Sequence, residues 1–199
     1  MTMQRMELLA PAGGMEQLKA ALRFGADAVY GGLSRHSLRA FAGNFDAAAL
    51  PEAVRLCHAQ GARFYAAINA LATDGELSDF VDTAREALEA GVDAAIVADV
   101  GVAAELRRQV PGLALHLSTQ LSVLNAPAAE ALRAVTGATR VVLAREMRLE
   151  DIAALRRALS PDMALEAFVH GAMCVAYSGR CLLSAALTGR SANHGACAQ

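Results

Sequence analysis

A chain of 199 residues, 55 % hydrophobic and with mean hydropathy +0.31, can bury a sizeable core as one globular domain over 1–199. A formal net charge of −2 and a pI near 6.2 exclude a basic nucleic-acid footprint at the level of the whole chain. No apolar run reaches the ~18 residues that span a bilayer, and no basic segment followed by an apolar one opens the chain as a signal peptide would. Four cysteines at this length do not make a secreted disulfide scaffold, so the expected compartment is a reducing cytoplasm.

The pattern predicts strand and helix in alternation. Residues 7–10 form a short apolar strand, and Pro11-Ala-Gly-Gly14 turns it into a helix over 15–24 that Gly25 stops. A second strand over 28–30 ends at Gly31-Gly32. A helix over 50–60 opens on Pro51, a first-turn position, and closes at Gly61. Strand three covers 63–69, and the helix over 76–90 closes at Gly91. Strand four covers 93–99, followed by a helix over 102–109 that stops before Pro111. Strands over 114–118, 140–144 and 165–169 alternate with helices over 126–135 and 149–159.

Units of roughly 25–35 residues with near-continuous apolar strands predict a parallel α/β sheet covered by helices. The expected fold is a (β/α)8 TIM-barrel-like parallel barrel, truncated at the C-terminus because seven strands precede Gln199. An open doubly wound sheet is the alternative. The dinucleotide loop Gly-x-Gly-x-x-Gly and the Walker A loop are both missing.

The predicted strand ends carry polar groups in register. Asn69 ends strand three, Asp99 strand four, Ser118-Thr-Gln120 strand five, Arg145 and Glu146 strand six, and His170 strand seven. In a parallel barrel these ends share one face, where such folds place their chemistry, so the five positions are expected to line one cavity. The plainer alternative is that polar residues merely mark where strands stop. His116 alternates with Ser118 and Gln120, as a core or a pocket histidine. The loop Ser34-Arg-His-Ser-Leu-Arg39 brings positive charge to the same face, where Arg39 could hold an anionic substrate. Cys57 and His58 read as structural helix residues.

The stretch from Glu166 to Ser184 is built like a site. A strand delivers His170, breaks at Gly171, and presents Cys174 and Cys181, with Cys197 further on. No Cys-x2-Cys zinc pattern occurs, and Cys174 and Cys181 could instead share one apolar helix face. For amide hydrolysis the chain lacks His-Glu-x-x-His and Gly-x-Ser-x-Gly, which leaves Cys174 with His170 as a thiol–imidazole pair. That pair gives Cys181 and Cys197 no purpose.

Glu166-x-Phe168-x-x-Gly171-Ala-Met-Cys174, then four residues, then Gly179-x-Cys181-x-Leu183-Ser184 closely resembles the signature of peptidase family U32. The segments 7–13, 25–30, 116–120 and 140–146 resemble further blocks of that family, so the likeness covers essentially the whole chain. It implies an enzyme, and several members are iron–sulfur proteins that add hydroxyl groups without molecular oxygen. Their substrates are tRNA uridine, a 23S rRNA cytidine or the ubiquinone ring. Residues 168–184 resemble the tRNA-uridine member, and 188–197 the rRNA-cytidine member. The resemblance implies that Cys174, Cys181 and Cys197 hold the iron of a [4Fe-4S] cluster whose fourth ligand lies beyond Gln199. It also implies RNA as partner and a prephenate-like oxygen donor, with Arg145, Arg39 and Arg180 as carboxylate partners. The same family carries a peptidase label, and its quinone-hydroxylating members imply an oligomer or a partner subunit.

Overall fold

The computed structural model describes residues 5–38, 43–171, 174, 176–177, 181–190, 192 and 196–198. Seven strands form one sheet: β1 (Leu9–Ala12), β2 (Ala28–Gly32), β3 (Arg63–Ala67), β4 (Ala94–Val97), β5 (Ala114–Leu117), β6 (Arg140–Val142) and β7 (Ala164–Glu166). All neighbours pair in parallel, in the order β1-β2-β3-β4-β5-β6-β7. Sequential order without reversal belongs to a barrel rather than to a doubly wound sheet, which changes direction at a switch point. The sheet also curls. Glu7, just before β1, bonds Arg140 at the start of β6, 133 residues away.

Helices α1 (Met15–Arg23), α2 (Leu50–Ala59), α3 (Leu77–Glu89), α4 (Val100–Gln109), α5 (Ala126–Thr136) and α6 (Leu149–Ala158) connect the strands. They cover the outer face through one continuous core that includes Leu18, Val54, Phe64, Phe80, Leu106, Leu117 and Leu143. Burying each such side chain is worth about 1.5–3 kcal/mol, which offsets the entropy of ordering the units. The inner face is a smaller cluster of Ala28, Tyr65, Ala94 and Ile96. β4 is buried along its whole length, as a strand covered on both faces must be.

Local chemistry sets the element boundaries. Asn125 caps α5 by accepting from Ala128 N–H at 2.9 Å, and Gly137 closes that helix at φ 68°, a left-handed conformation that glycine adopts without strain. Gly31 lets Phe45 pack on β2, since a Cβ there would lie 2.5 Å from the ring. That packing folds the β2–α2 loop over the strand end. Cys57 is fully buried, and burial followed by the nearby Asp93 pushes its thiol up to about 11, so it packs as a core residue as expected. Asp93 accepts from Phe64 N–H at 2.8 Å and contacts His58 Nε2 at 2.9 Å, tying α2 to the sheet.

Several strands are shorter than their apolar runs. β3 stops at Ala67, β6 at Val142 and β7 at Glu166, because ladder pairing ends there while the chain continues as loop. Two elements were not expected: a 3-10 turn at Thr119–Leu121 and a short helix α7 (Leu183–Thr188). No helix among the described residues is long and apolar enough to cross a membrane.

Candidate functional site

The groups beyond the C-terminal ends of the strands divide into a locked pair, a cap and exposed residues. Asn69 donates from Nδ2 to Gln120 Oε1 at 2.9 Å, and Ser118 Oγ donates to the same oxygen at 2.8 Å. Asn69 Oδ1 in turn accepts from Leu38 N–H at 3.0 Å. The 3-10 turn that presents Gln120 is pinned by Thr119 Oγ1, which donates to the carbonyl of Leu143 at 2.9 Å. Strands three and five and the β2–α2 loop therefore meet at one partly buried amide pair.

Asp99 has a different role. One carboxylate oxygen accepts from Gly101 N–H at 2.7 Å and Val102 N–H at 3.1 Å, and the other accepts from Ala72 N–H at 3.2 Å. It is the N-cap of α4, and backbone N–H groups occupy both of its oxygens, which gives it a structural role at this strand end. Asp99→Ala should lower stability by about 1–2 kcal/mol and Asp99→Asn by much less, read as the urea midpoint. Equal midpoints for wild type and Asp99→Ala would refute the capping role.

Arg145 lies with its guanidinium carbon 4.3 Å from the centre of the Phe168 ring, a cation–π arrangement joining the ends of β6 and β7. Glu146 and His170 are both exposed. Of the five strand-end residues, Asn69 and Gln120 bond each other. Arg39 and Arg180 lie outside the described residues. In the same β2–α2 loop Arg35 pairs with Glu86 at 2.7 Å, so its charge is already matched.

His116 belongs to the barrel interior. It is 5 % exposed, and its ring meets that of Tyr65 edge-on at 4.7 Å. Burial first, then the charges of Arg140 and Arg63, pull its pKa down to about 3, so it is neutral near pH 7. Its neighbours form a charged cluster that sequence reasoning missed. Arg140 Nη1 donates to Glu7 Oε1 at 2.6 Å and to Glu166 Oε2 at 3.2 Å, while Tyr65 Oη donates to Glu7 at 3.0 Å. The Arg140 guanidinium also stands 5.2 Å over the Tyr65 ring. Burial works against charge on Arg140, yet the Glu7 hydrogen bond, Tyr65 and Glu166 hold its pKa above the ordinary arginine value. Burial raises Glu166, with Arg140 opposing the rise. The available signal was the placement of single charges next to or within otherwise apolar strands, two residues from inward-facing positions.

The three signature thiols follow β7. Cys174 and Cys197 are exposed and Cys181 is partly so. Leu183 N–H approaches Cys181 Sγ at 3.5 Å, and Ser184 Oγ lies 3.8 Å from Cys197 Sγ. Such donors suit sulfur that carries negative charge. Ser184 is 1 % exposed and also accepts from Ala198 N–H at 3.0 Å, so α7 anchors the Cys197 segment. Among the described residues no three His, Cys, Asp or Glu side chains are grouped to hold a metal ion. The donor set is therefore right in kind for a cluster, without a closed ligand cage among those residues.

The model of peptidase family U32 matches residues 13–199. The chain belongs to this family. The U32 relatives include tRNA hydroxylation protein P of Helicobacter pylori (strain J99), 43 % identical over 197 residues, which are 98 % of this chain and 46 % of that protein. The 23S rRNA 5-hydroxycytidine synthase of Escherichia coli is 40 % identical over 195 residues, 98 % of this chain and 29 % of the relative. The chain thus spans less than half the length of these two relatives. Among solved structures, the U32 peptidase Mk0906 superposes with a TM-score of 0.68 over 84 % of this chain and 70 % of that one, at 13 % identity, which is likeness of fold.

Proposed function

We propose that this chain is the barrel and thiol-bearing part of an iron–sulfur enzyme that hydroxylates a pyrimidine of tRNA or 23S rRNA without molecular oxygen. The observation that carries this reading is the 40–43 % identity, over nearly the whole chain, to relatives named for hydroxylating two different RNAs. Three accessible thiols on one segment are its chemical support. Cys174, Cys181 and Cys197 would hold a [4Fe-4S] cluster, with a fourth ligand from outside this set. When bound, the cluster supplies electron-transfer chemistry that no side chain here provides.

The chain's own residues position and shield. The Asn69–Gln120 pair fixes the floor beyond β3 and β5, with its amides bonded to each other and to backbone. Arg145, oriented over Phe168, is the described cation suited to a carboxylate of an anionic, prephenate-like oxygen donor. On this reading the protein works in the cytoplasm, where its RNA substrate is. A net charge of −2 assigns binding to local contacts rather than to a general basic surface.

The test has two parts. RNA from cells lacking the gene should lose one hydroxylated pyrimidine by mass spectrometry. In anaerobically purified full-length protein, Cys174→Ala, Cys181→Ala and Cys197→Ala should each lose iron and sulfide together with the modification, whereas Cys57→Ala should keep both. Equal iron in Cys181→Ala and the parent would reject the ligand set. Cleavage of casein or gelatin that disappears in His170→Ala, with the RNA unchanged, would establish the peptidase reading instead.

A further inference from the structure

The turn that opens α7 serves two of the signature thiols. Leu183 N–H approaches Cys181 Sγ at 3.5 Å, and the next residue, Ser184, places Oγ 3.8 Å from Cys197 Sγ. The two donors differ in kind. The first is a backbone group, which does not depend on the side chain at 183. The second exists only because residue 184 carries a hydroxyl. Ser184 is 1 % exposed, although serine is a residue type found mostly at the surface, while the thiol-bearing Cys197 is exposed.

The direction of the serine bond follows from its other partner. Ala198 N–H donates to Ser184 Oγ at 3.0 Å, so the hydroxyl proton is the group left for sulfur. Arg190 Nη2 donates to the Cys197 carbonyl at 3.2 Å. The peptide joining Cys197 to Ala198 is thus clamped at both its N–H and its carbonyl, and the Cys197 side chain is met at its sulfur. Ser184 is itself braced, because Thr188 Oγ1 donates to its carbonyl at 2.7 Å. Clamping the backbone fixes only where the segment runs. A hydroxyl shielded from water and aimed at sulfur also favours the negatively charged form of that sulfur and holds it in one direction.

We propose that Ser184 is a positioning residue for Cys197, whose hydroxyl directs the thiolate and stays bonded to its sulfur when iron is held there. The proposal rests on the cluster reading above. Reduction adds negative charge to the iron and its sulfurs, so a hydrogen bond donated to a ligating sulfur stabilises the reduced state more than the oxidised one.

Ser184→Ala and Ser184→Thr in anaerobically purified full-length protein test it. Threonine keeps the hydroxyl; alanine removes it and suits a helix. In Ser184→Ala, a redox titration followed by visible absorbance should show the reduction equilibrium displaced about tenfold toward the oxidised form, about 59 mV lower for a one-electron couple. A chelator should strip its iron roughly tenfold faster, the usual scale for losing an outer partner of a metal ligand. Ser184→Thr should restore both towards wild type. In the cluster-free protein, the Ala198 amide of Ser184→Ala should exchange its hydrogen about tenfold faster than in wild type, read by NMR with an unchanged far-UV spectrum. An unchanged potential or unchanged Ala198 exchange in Ser184→Ala, or an equal displacement in both variants, would overturn the assignment. The two readings fail separately: a wild-type protein that takes up no iron would overturn the cluster, while Ala198 exchange, read without iron, still decides whether Ser184 holds Cys197.

Discussion

Arg140→Leu should destabilise the fold by about 3–5 kcal/mol, the usual loss when one partner of a buried ion pair is removed. The Arg140 side chain is 13 % exposed and bridges Glu7 and Glu166, whose side chains are 24 % and 16 % exposed. Without it, two carboxylates face each other inside the curled sheet, and Tyr65 loses the cation over its ring. In urea the midpoint should fall with little change in slope, since the surface exposed on unfolding is the same. Adding Glu7→Gln and Glu166→Gln to the leucine variant should restore much of the loss, because the cost lies in stranded charge. A second signature is pH. The carboxyl of Glu166 is raised by burial, so its contribution to stability is full below its ordinary value of 4.5 and declines as pH rises through its folded value. Arg140 opposes that rise, so the leucine variant should be penalised less at pH 4 than at pH 7. A loss under 1 kcal/mol at pH 7 would show that the bridge behaves like a solvated surface pair.

The acid limb of the stability curve should belong largely to His116. Its folded pKa of about 3 lies below its ordinary value of 6.5. A depressed histidine stabilises the fold fully above 6.5, and the benefit declines as pH falls from 6.5 toward 3. The slope in that window is about 1.4 kcal/mol per pH unit, or about 2 kcal/mol between pH 6.5 and pH 5. The cause is steric and electrostatic together: the ring is buried against Tyr65 with Nδ1 unpartnered, and Arg140 and Arg63 are the charges that face it. His116→Phe keeps an aromatic edge for Tyr65 and cannot be protonated. Urea unfolding at pH 7 and pH 5 should show wild type losing about 2 kcal/mol more than the phenylalanine variant. Parallel losses in the two proteins would place the acid sensitivity elsewhere. Glu166 acts in the opposite direction above pH 4.5, so the histidine window is read most cleanly as this difference between variants.

The sequence by itself determined the succession of strands and helices, the parallel barrel-like class and the burial of Cys57. These depend on information that is local along the chain: apolar runs of strand length, helical spacing between them, and punctuation by Pro51, Gly61 and Gly91; Pro11, expected to turn the chain, lies inside β1. That Asn69 and Gln120 follow strands on one face was legible too, because parallel strands end on the same side; their hydrogen bond was not. The capping role of Asp99 was not read from the sequence, since an aspartate between a strand and a helix fits both a strand end and a helix cap; its hydrogen bonds show the cap. Only the tertiary structure could decide the interior charges. Glu7 and Arg140 are 133 residues apart, and no periodicity relates them. Curling of the sheet brings the start of β1 to β6 and β7, where desolvation makes each charge depend on the others. The hollow lined by Ser34, His36, Leu71 and Phe80 is likewise a product of closure. Its walls come from two loops and a helix that meet only when β2 and β3 pair, and that meeting leaves one ring nitrogen buried without a partner.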